Sequence, residues 1–165
     1  MLRTHTCGAL RPTHVGTSVT LCGWVHRIRD KGGLLWIDLR DRYGITQLIL
    51  AEGTTPPALL LQARALGREY VIQVTGDVVE RSAPNPQLAT GDIEVQVQQL
   101  KVLNAAQTPP FTIEVDTDGG EELRMQYRYL DLRRRPMQDH LQLRHQVMQQ
   151  TRHYLNERQF LEIET

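Results

Sequence analysis

From Val19 onward the chain alternates apolar and polar residues with a period of two, and the alternation breaks at glycine-bearing points. Val19 to Ile28 is the first such stretch. Asp30-Lys31-Gly32-Gly33 turns it into a second, Leu34 to Leu39, and Asp41-Arg42-Tyr43-Gly44 leads into a third, Ile45 to Leu50. Period two is the spacing of side chains on one face of a strand, so three adjacent strands are predicted. In the second, Leu35, Ile37 and Leu39 share one face. Trp36 and Asp38 therefore take the other, beside the arginines of the preceding strand. An aromatic shown to a polar, arginine-bearing surface is the arrangement by which single-stranded bases are stacked and hydrogen-bonded. A tryptophan covered by a neighbouring loop satisfies the same pattern.

Pro56-Pro57 opens Ala58 to Leu66, which has the Ala/Leu composition of a short helix. Tyr70 to Val79 returns to alternation. Ile93 to Val102 does so again, with Ile93, Val95 and Val97 on one side and Glu94, Gln96 and Gln98 on the other. Three strands, a helix and two strands in about a hundred residues is the layout of the five-stranded OB-fold barrel, a mainly β architecture.

Ala105-Ala106-Gln107-Thr108-Pro109-Pro110-Phe111 interrupts the pattern, and the acidic, turn-rich stretch from Thr112 to Gly120 reads as a linker. The expected division is therefore a barrel over 1–106, a linker and hinge over 107–135, and a further segment over 136–165. Glu121 to Arg135 has helical composition and a dense arginine set. Pro136 fits the first turn of the next helix, in which Leu141, Met148 and Leu155, flanked by Val147 and Tyr154, make one apolar stripe. Phe160 to Thr165 alternates like a strand. A lone amphipathic helix with a cut strand buries no core of its own.

Charge narrows the function. Lys plus Arg equals Asp plus Glu at 19 each, so any nucleic-acid binding must come from a local, shaped site. The two cysteines and six histidines show no metal-ligand spacing, so no metal site is expected. No stretch approaches the roughly 20 apolar residues of a bilayer span, and the first residues lack an apolar signal core, so a cytosolic protein with no membrane partner is expected.

The hairpin Gly23 to Gln47, the stretch Leu88-Ala89-Thr90-Gly91-Asp92-Ile93-Glu94-Val95, the hinge Tyr127-Arg128-Tyr129-Leu130-Asp131-Leu132-Arg133-Arg134 and the closing Phe160-Leu161-Glu162-Ile163-Glu164-Thr165 resemble the bacterial-type aspartyl-tRNA synthetases. Lysyl and asparaginyl synthetases share the barrel and a similar hinge. The Arg-Asp-x-Gly-Gly turn, the Leu-Arg-Asp-Arg block and Leu-Asp-Leu-Arg-Arg look like the aspartyl branch.

The resemblance implies an anticodon-reading barrel, a hinge touching the tRNA body, and the first helix and strand of a class II α+β domain cut at Thr165. It implies that Trp36, where the family usually has Phe, stacks on the middle anticodon base, and that Gln47 reads the edge of that uracil with an amide donor and acceptor. Glu94 matches a carboxylate that accepts from the first-position guanine; without the resemblance it reads as solvated surface. Arg29, Arg81 and Asn85 match positions near the backbone and the third base. Lys31 and the Ser82-Ala83-Pro84 stretch fall where the family separates enzymes charging only tRNA-Asp from those also charging tRNA-Asn, and Lys31 matches neither common residue, Leu or His.

Arg128, Arg133 and Arg134 are the hinge candidates for the tRNA body, with an internal ion pair to Asp131 as their competing use. The resemblance places no catalytic residue in this segment and assigns it no cofactor. For a full-length enzyme it implies ATP and Mg2+, aspartyl-adenylate formation, transfer to the 3′ end of tRNA-Asp, and a homodimer. A free-standing barrel that binds tRNA or single-stranded nucleic acid without catalysis is the rival reading, and a structural barrel with Trp36 buried is a third.

Overall fold

A computed structural model of the chain describes residues 2–164. Within them the chain divides into two compact units that meet between Pro109 and Pro110. In the first, β1 (Ser18–Asp30), β2 (Leu34–Asp41), β3 (Gly44–Ala51), α1 (Pro57–Arg64), β4 (Val71–Glu80) and β5 (Ile93–Asn104) follow in the predicted order. The strands close into a barrel with neighbours in the order β1-β2-β3-β5-β4. β3 and β5 pair in parallel and every other pair is antiparallel. Closure leaves no long free edge and gives the five strands one shared interior.

Alternation fills that interior. Leu21 and Val25 of β1, Leu35, Ile37 and Leu39 of β2, Leu48 and Leu50 of β3, Ile72 and Val74 of β4 and Val95 of β5 are at most 1% exposed. Leu60 and Ala63 of α1 join the same cluster. Residues between them on each strand face outward, which is how the outer surface of β1, β2, β3 and β5 becomes available to a ligand. The β1–β2 turn needs its two glycines, since Gly32 and Gly33 both have positive φ, +40° and +87°. The turn is braced from outside the hairpin: Arg64 of α1 donates to Asp30 Oδ2 and to Glu52 Oε1, each at 2.9 Å.

The second unit departs from expectation in three places. Thr112 to Gly120 is an ordered loop, not an open linker: Asp118 Oδ1 accepts from Thr112 N at 2.7 Å and from its hydroxyl at 3.0 Å. Phe111 and Ile113 are buried with Leu130, and Leu123 and Tyr127 pack on them. Asp118 thus closes a loop beside a small core. The arginine-rich hinge is broken into α2 (Glu121–Gln126) and α3 (Arg128–Asp131), because Tyr127 at φ −107°, ψ 47° leaves the helical region. Finally, α4 (Arg135–Glu157) begins with Pro136 in its first turn and is followed by Gln159 at φ +64°, after which residues 161–164 form no strand. Leu161 and Ile163 are 84% and 75% exposed. A strand needs a neighbour to bond to, and this segment pairs with none among the described residues. Thr165 lies outside the described residues.

Candidate nucleic-acid interface

The β1–β2–β3–β5 register builds the site. Arg29 of β1 lies directly opposite Trp36 of β2, and Asp38 of β2 lies opposite Gln47 of β3. The parallel pairing of Leu48 with Val95 and Ile49 with Gln96 brings Glu94 of β5 alongside Gln47. Outward-facing residues of four strands thus share one surface patch.

Those side chains are bonded to one another. Arg29 grips Asp38 with two parallel hydrogen bonds of 2.8 Å and donates a third, at 3.1 Å, to Gln47 Oε1. Arg81, at the start of the β4–β5 loop, donates to the same oxygen at 2.7 Å. On its other side the Gln47 amide donates from Nε2 to Glu94 Oε2 at 2.6 Å. Charge-assisted bonds of this kind are the strong ones, and the two-pronged Arg29–Asp38 pair also fixes direction. Gln47 and Glu94 are 5% and 6% exposed, forming the floor of the patch, while the Arg29 side chain is 34% exposed. Trp36 is half-buried on the same face, neither lost in the core nor fully open.

Two sequence expectations change. Glu94 is buried and bonded, not a solvated strand carboxylate, because Gln47 of the parallel neighbour covers it. Gln47 cannot offer a free acceptor in this arrangement, since both lone pairs of Oε1 are taken by arginines. Its Nε2 keeps one N–H beyond the bond to Glu94. Arg81 Nη1 is buried and has no hydrogen-bond partner among the described residues. A buried donor left unfilled is costly.

The remaining candidates lie around this patch or apart from it. Lys31 is exposed in the β1–β2 turn, and Ser82 and Ala83 are exposed in the β4–β5 loop. Asn85 shapes that loop: its Oδ1 accepts from Gln87 N at 3.0 Å, and its own N donates to Gly91 O at 2.9 Å. It makes no bond to the Gln47 network. Asp38 was legible only as a face-mate of Trp36; the signal for its role was an acidic residue on an otherwise arginine-lined face.

In the second unit the hinge arginines turn inward. Asp131 is fully buried and accepts from Arg128 at 2.6 Å and Arg134 at 3.0 Å, with Arg124 at 3.8 Å. Arg134 also donates to Glu114 O and Val115 O, at 2.8 and 2.6 Å, and is 8% exposed. Each of its three nitrogens is engaged within the unit, so Arg134 acts as a structural clamp between Asp131 and the 114–115 backbone. Arg128 keeps 46% of its side chain exposed, and Arg133 is half-buried.

Residues 19–103 match the family model for the OB-fold nucleic acid binding domain, and the chain belongs to that family. Residues 120–165 match a second model, tRNA synthetases class II (D, K and N). Within that class its likeness is to aspartate–tRNA ligase: it is 66% identical over all 165 residues to that of Amoebophilus asiaticus. The chain spans 28% of the length of that relative. Solved structures of both branches share the fold. The aspartyl-tRNA synthetase of Entamoeba histolytica superposes with TM-score 0.85 at 20% identity, over 93% of this chain and 37% of its own. The asparaginyl-tRNA synthetase of Pyrococcus horikoshii gives 0.82 at 24%, over 99% and 38%. Fold does not separate the branches; the 66% identity over the full chain is to an aspartate–tRNA ligase, in agreement with the hairpin and hinge motifs.

Proposed function

We propose that this chain reads the anticodon of tRNA-Asp as part of an aspartate–tRNA ligase. The observation that carries the reading is the bonded patch Asp38–Arg29–Gln47–Glu94, with Arg81 bringing an unfilled buried donor to it and Trp36 beside it. Trp36 stacks on the middle base. Gln47 supplies an N–H to that base's edge, Glu94 accepts from the first-position guanine, and Arg29, Arg81 and Asn85 serve the backbone and third base. Lys31, Ser82 and Ala83 are where tRNA-Asn is accepted or refused. Arg128 and Arg133 face the tRNA body.

The complete enzyme is proposed to be a cytoplasmic homodimer that activates L-aspartate with ATP and Mg2+ and transfers it to the 3′ end of tRNA. Among the described residues no group of three or more His, Cys, Asp or Glu could hold a metal ion. Nor is any described helix long and apolar enough to cross a membrane.

The test is a titration of the 165-residue chain with two anticodon stem-loops, one bearing GUC and one GCC. Tighter binding of GUC is expected, by about tenfold or more, the worth of one good edge contact. Equal binding would leave a general RNA-binding barrel.

A further inference from the structure

The β2–β3 turn carries chemistry that the base patch does not use. Arg42 and Tyr43 are both exposed there, Tyr43 by 51%. The guanidinium carbon of Arg42 lies 4.9 Å from the centre of the Tyr43 ring and that of Arg3 lies 5.5 Å from it, within the reach of cation–π attraction. One carboxylate ties this turn to the N-terminal arm. Asp41 Oδ1 accepts from Tyr43 N at 2.7 Å and Gly44 N at 3.1 Å, and its Oδ2 accepts from Cys7 N at 2.9 Å and Arg3 Nη1 at 3.0 Å. Gly8 packs so closely on the turn that no side-chain carbon would fit between it and Tyr43 O, and Arg11 donates to Gly8 O at 2.9 Å. Three guanidiniums thus gather at one fixed turn.

Charge sets this edge of the barrel apart. Before Asp30 the chain carries Arg3, Arg11, Arg27 and Arg29 and no Asp or Glu. Asp41 is 7% exposed and its oxygens are filled by four N–H groups, so it offers solvent no free acceptor. Arg42 has no hydrogen bond or ion pair among the described residues. In the base patch, by contrast, Arg29 and Arg81 are engaged with Asp38 and Gln47. A guanidinium held beside a ring with its N–H groups unspent is suited to phosphate oxygens, which it can grip in pairs.

Distance decides what this edge can touch. From Trp36 to Asp41 β2 advances five residues, about 17 Å at the rise of a strand. Three bases stacked about 3.4 Å apart cover at most about 10 Å. Building on the anticodon reading above, we infer that Arg42, Arg3 and Arg11, arrayed about Tyr43, form a second RNA contact that grips the sugar–phosphate backbone outside the anticodon triplet. Its chemistry is charge on phosphate, so it adds affinity without regard to sequence. An acidic protein surface would suit the same guanidiniums; RNA is favoured because the turn ends the very strand that carries Trp36.

The measurement is the dissociation constant of the GUC and GCC stem-loops across a range of salt, for the 165-residue chain and its Arg42→Gln, Arg42→Lys and Tyr43→Ala variants, each checked by thermal melting for a folded barrel. Arg42→Gln removes no hydrogen bond from the fold. It is expected to weaken both stem-loops by the same factor, at least threefold at low salt, and to flatten log K against log salt by about 0.7–0.9, the share of one phosphate contact. Arg42→Lys keeps the charge and should keep the slope. Tyr43→Ala takes away the ring that holds two of the arginines and should weaken both stem-loops alike. A GUC trinucleotide is too short to span the gap, so wild type and Arg42→Gln should bind it equally.

Unchanged constants and slope in Arg42→Gln would overturn the proposal in favour of an acidic protein surface. So would a shift in the ratio of the GCC and GUC constants, which would put Arg42 among the base readers, or an equal weakening of the trinucleotide. The anticodon reading fails separately. A wild-type chain that binds GUC and GCC alike, with the slope still flattened in Arg42→Gln, would remove that reading and leave this contact standing, and no binding by wild type would remove both.

Discussion

Replacing Trp36 by alanine should weaken binding of the GUC stem-loop about 5- to 150-fold and leave the barrel standing. The first figure is the loss of one base-on-aromatic stack, about 1–3 kcal/mol, at 1.4 kcal/mol per tenfold. The second follows from where the side chain lies. Trp36 is half-buried on the outer face of β2, across from Arg29 and Ile49, while its neighbours Leu35 and Ile37 are 1% and 0% exposed and carry the interior. Truncating Ile37 in the same strand is the matched control, expected to cost about 2–5 kcal/mol of stability because it opens a cavity in the core. Trp36→Phe keeps a π-face and should keep most of the affinity.

Anisotropy of a labelled stem-loop at one fixed salt concentration, with a melting curve for each variant, separates the two effects. Affinity within twofold of wild type in a folded Trp36→Ala protein would remove the stacking role. A stability loss as large as that of Ile37→Ala would show instead that Trp36 serves the core, as the structural-barrel reading holds.

Two further outcomes concern stability. Asp131→Ala leaves the buried Arg134 guanidinium without its carboxylate, and breaking such a pair costs about 3–5 kcal/mol. The small core of Phe111, Ile113 and Leu130 has little with which to offset it, so proteases should cut the 110–135 region at concentrations that leave the barrel whole; cleavage no faster than in wild type would count against the buried-pair account. Burial, with the nearby Asp41 carboxylate, pushes the Cys7 thiol well above the ordinary range. Its folded pKa is raised, so the stability it carries is fully present below the unfolded thiol pKa and falls above it, by about 1.4 kcal/mol per pH unit. Urea midpoints should therefore decline from about pH 9 upward, more steeply in wild type than in Cys7→Ala, and matching slopes would refute the assignment.

The barrel was legible because one rule, apolar every second residue, governs all five strands, and each break coincides with a glycine- or proline-bearing turn. The faces were legible for the same reason: Trp36, Asp38 and Gln47 lie outside as alternation requires. Burial on that face was not. Whether an outward residue is wet depends on what lies across the sheet, and β5 reaches β3 only by the parallel closure of the barrel, which no local pattern encodes. Glu94, which reads as solvated surface without the resemblance, is buried on that account. Arg40 is a second case, an outward position of β2 buried at 8% exposure by a 2.7 Å pair with Glu69, which itself adopts positive φ in the chain before β4. The hinge was legible in part: its helical composition and the Asp131 ion pair, named as the competing use of its arginines, are both found, while the break of the helix at Tyr127 has no sequence signal.

The formal charges of the patch cancel: Arg29 and Arg81 stand against Asp38 and Glu94. Seen from beyond the screening distance of about 8–10 Å at cellular salt, the patch casts almost no field. On the anticodon reading proposed above, it would neither draw RNA in nor hasten encounter, and cognate and mistaken loops would arrive at similar rates. Sorting would then fall after arrival, in how long each loop stays, with the wrong one refused by prompt departure rather than by exclusion.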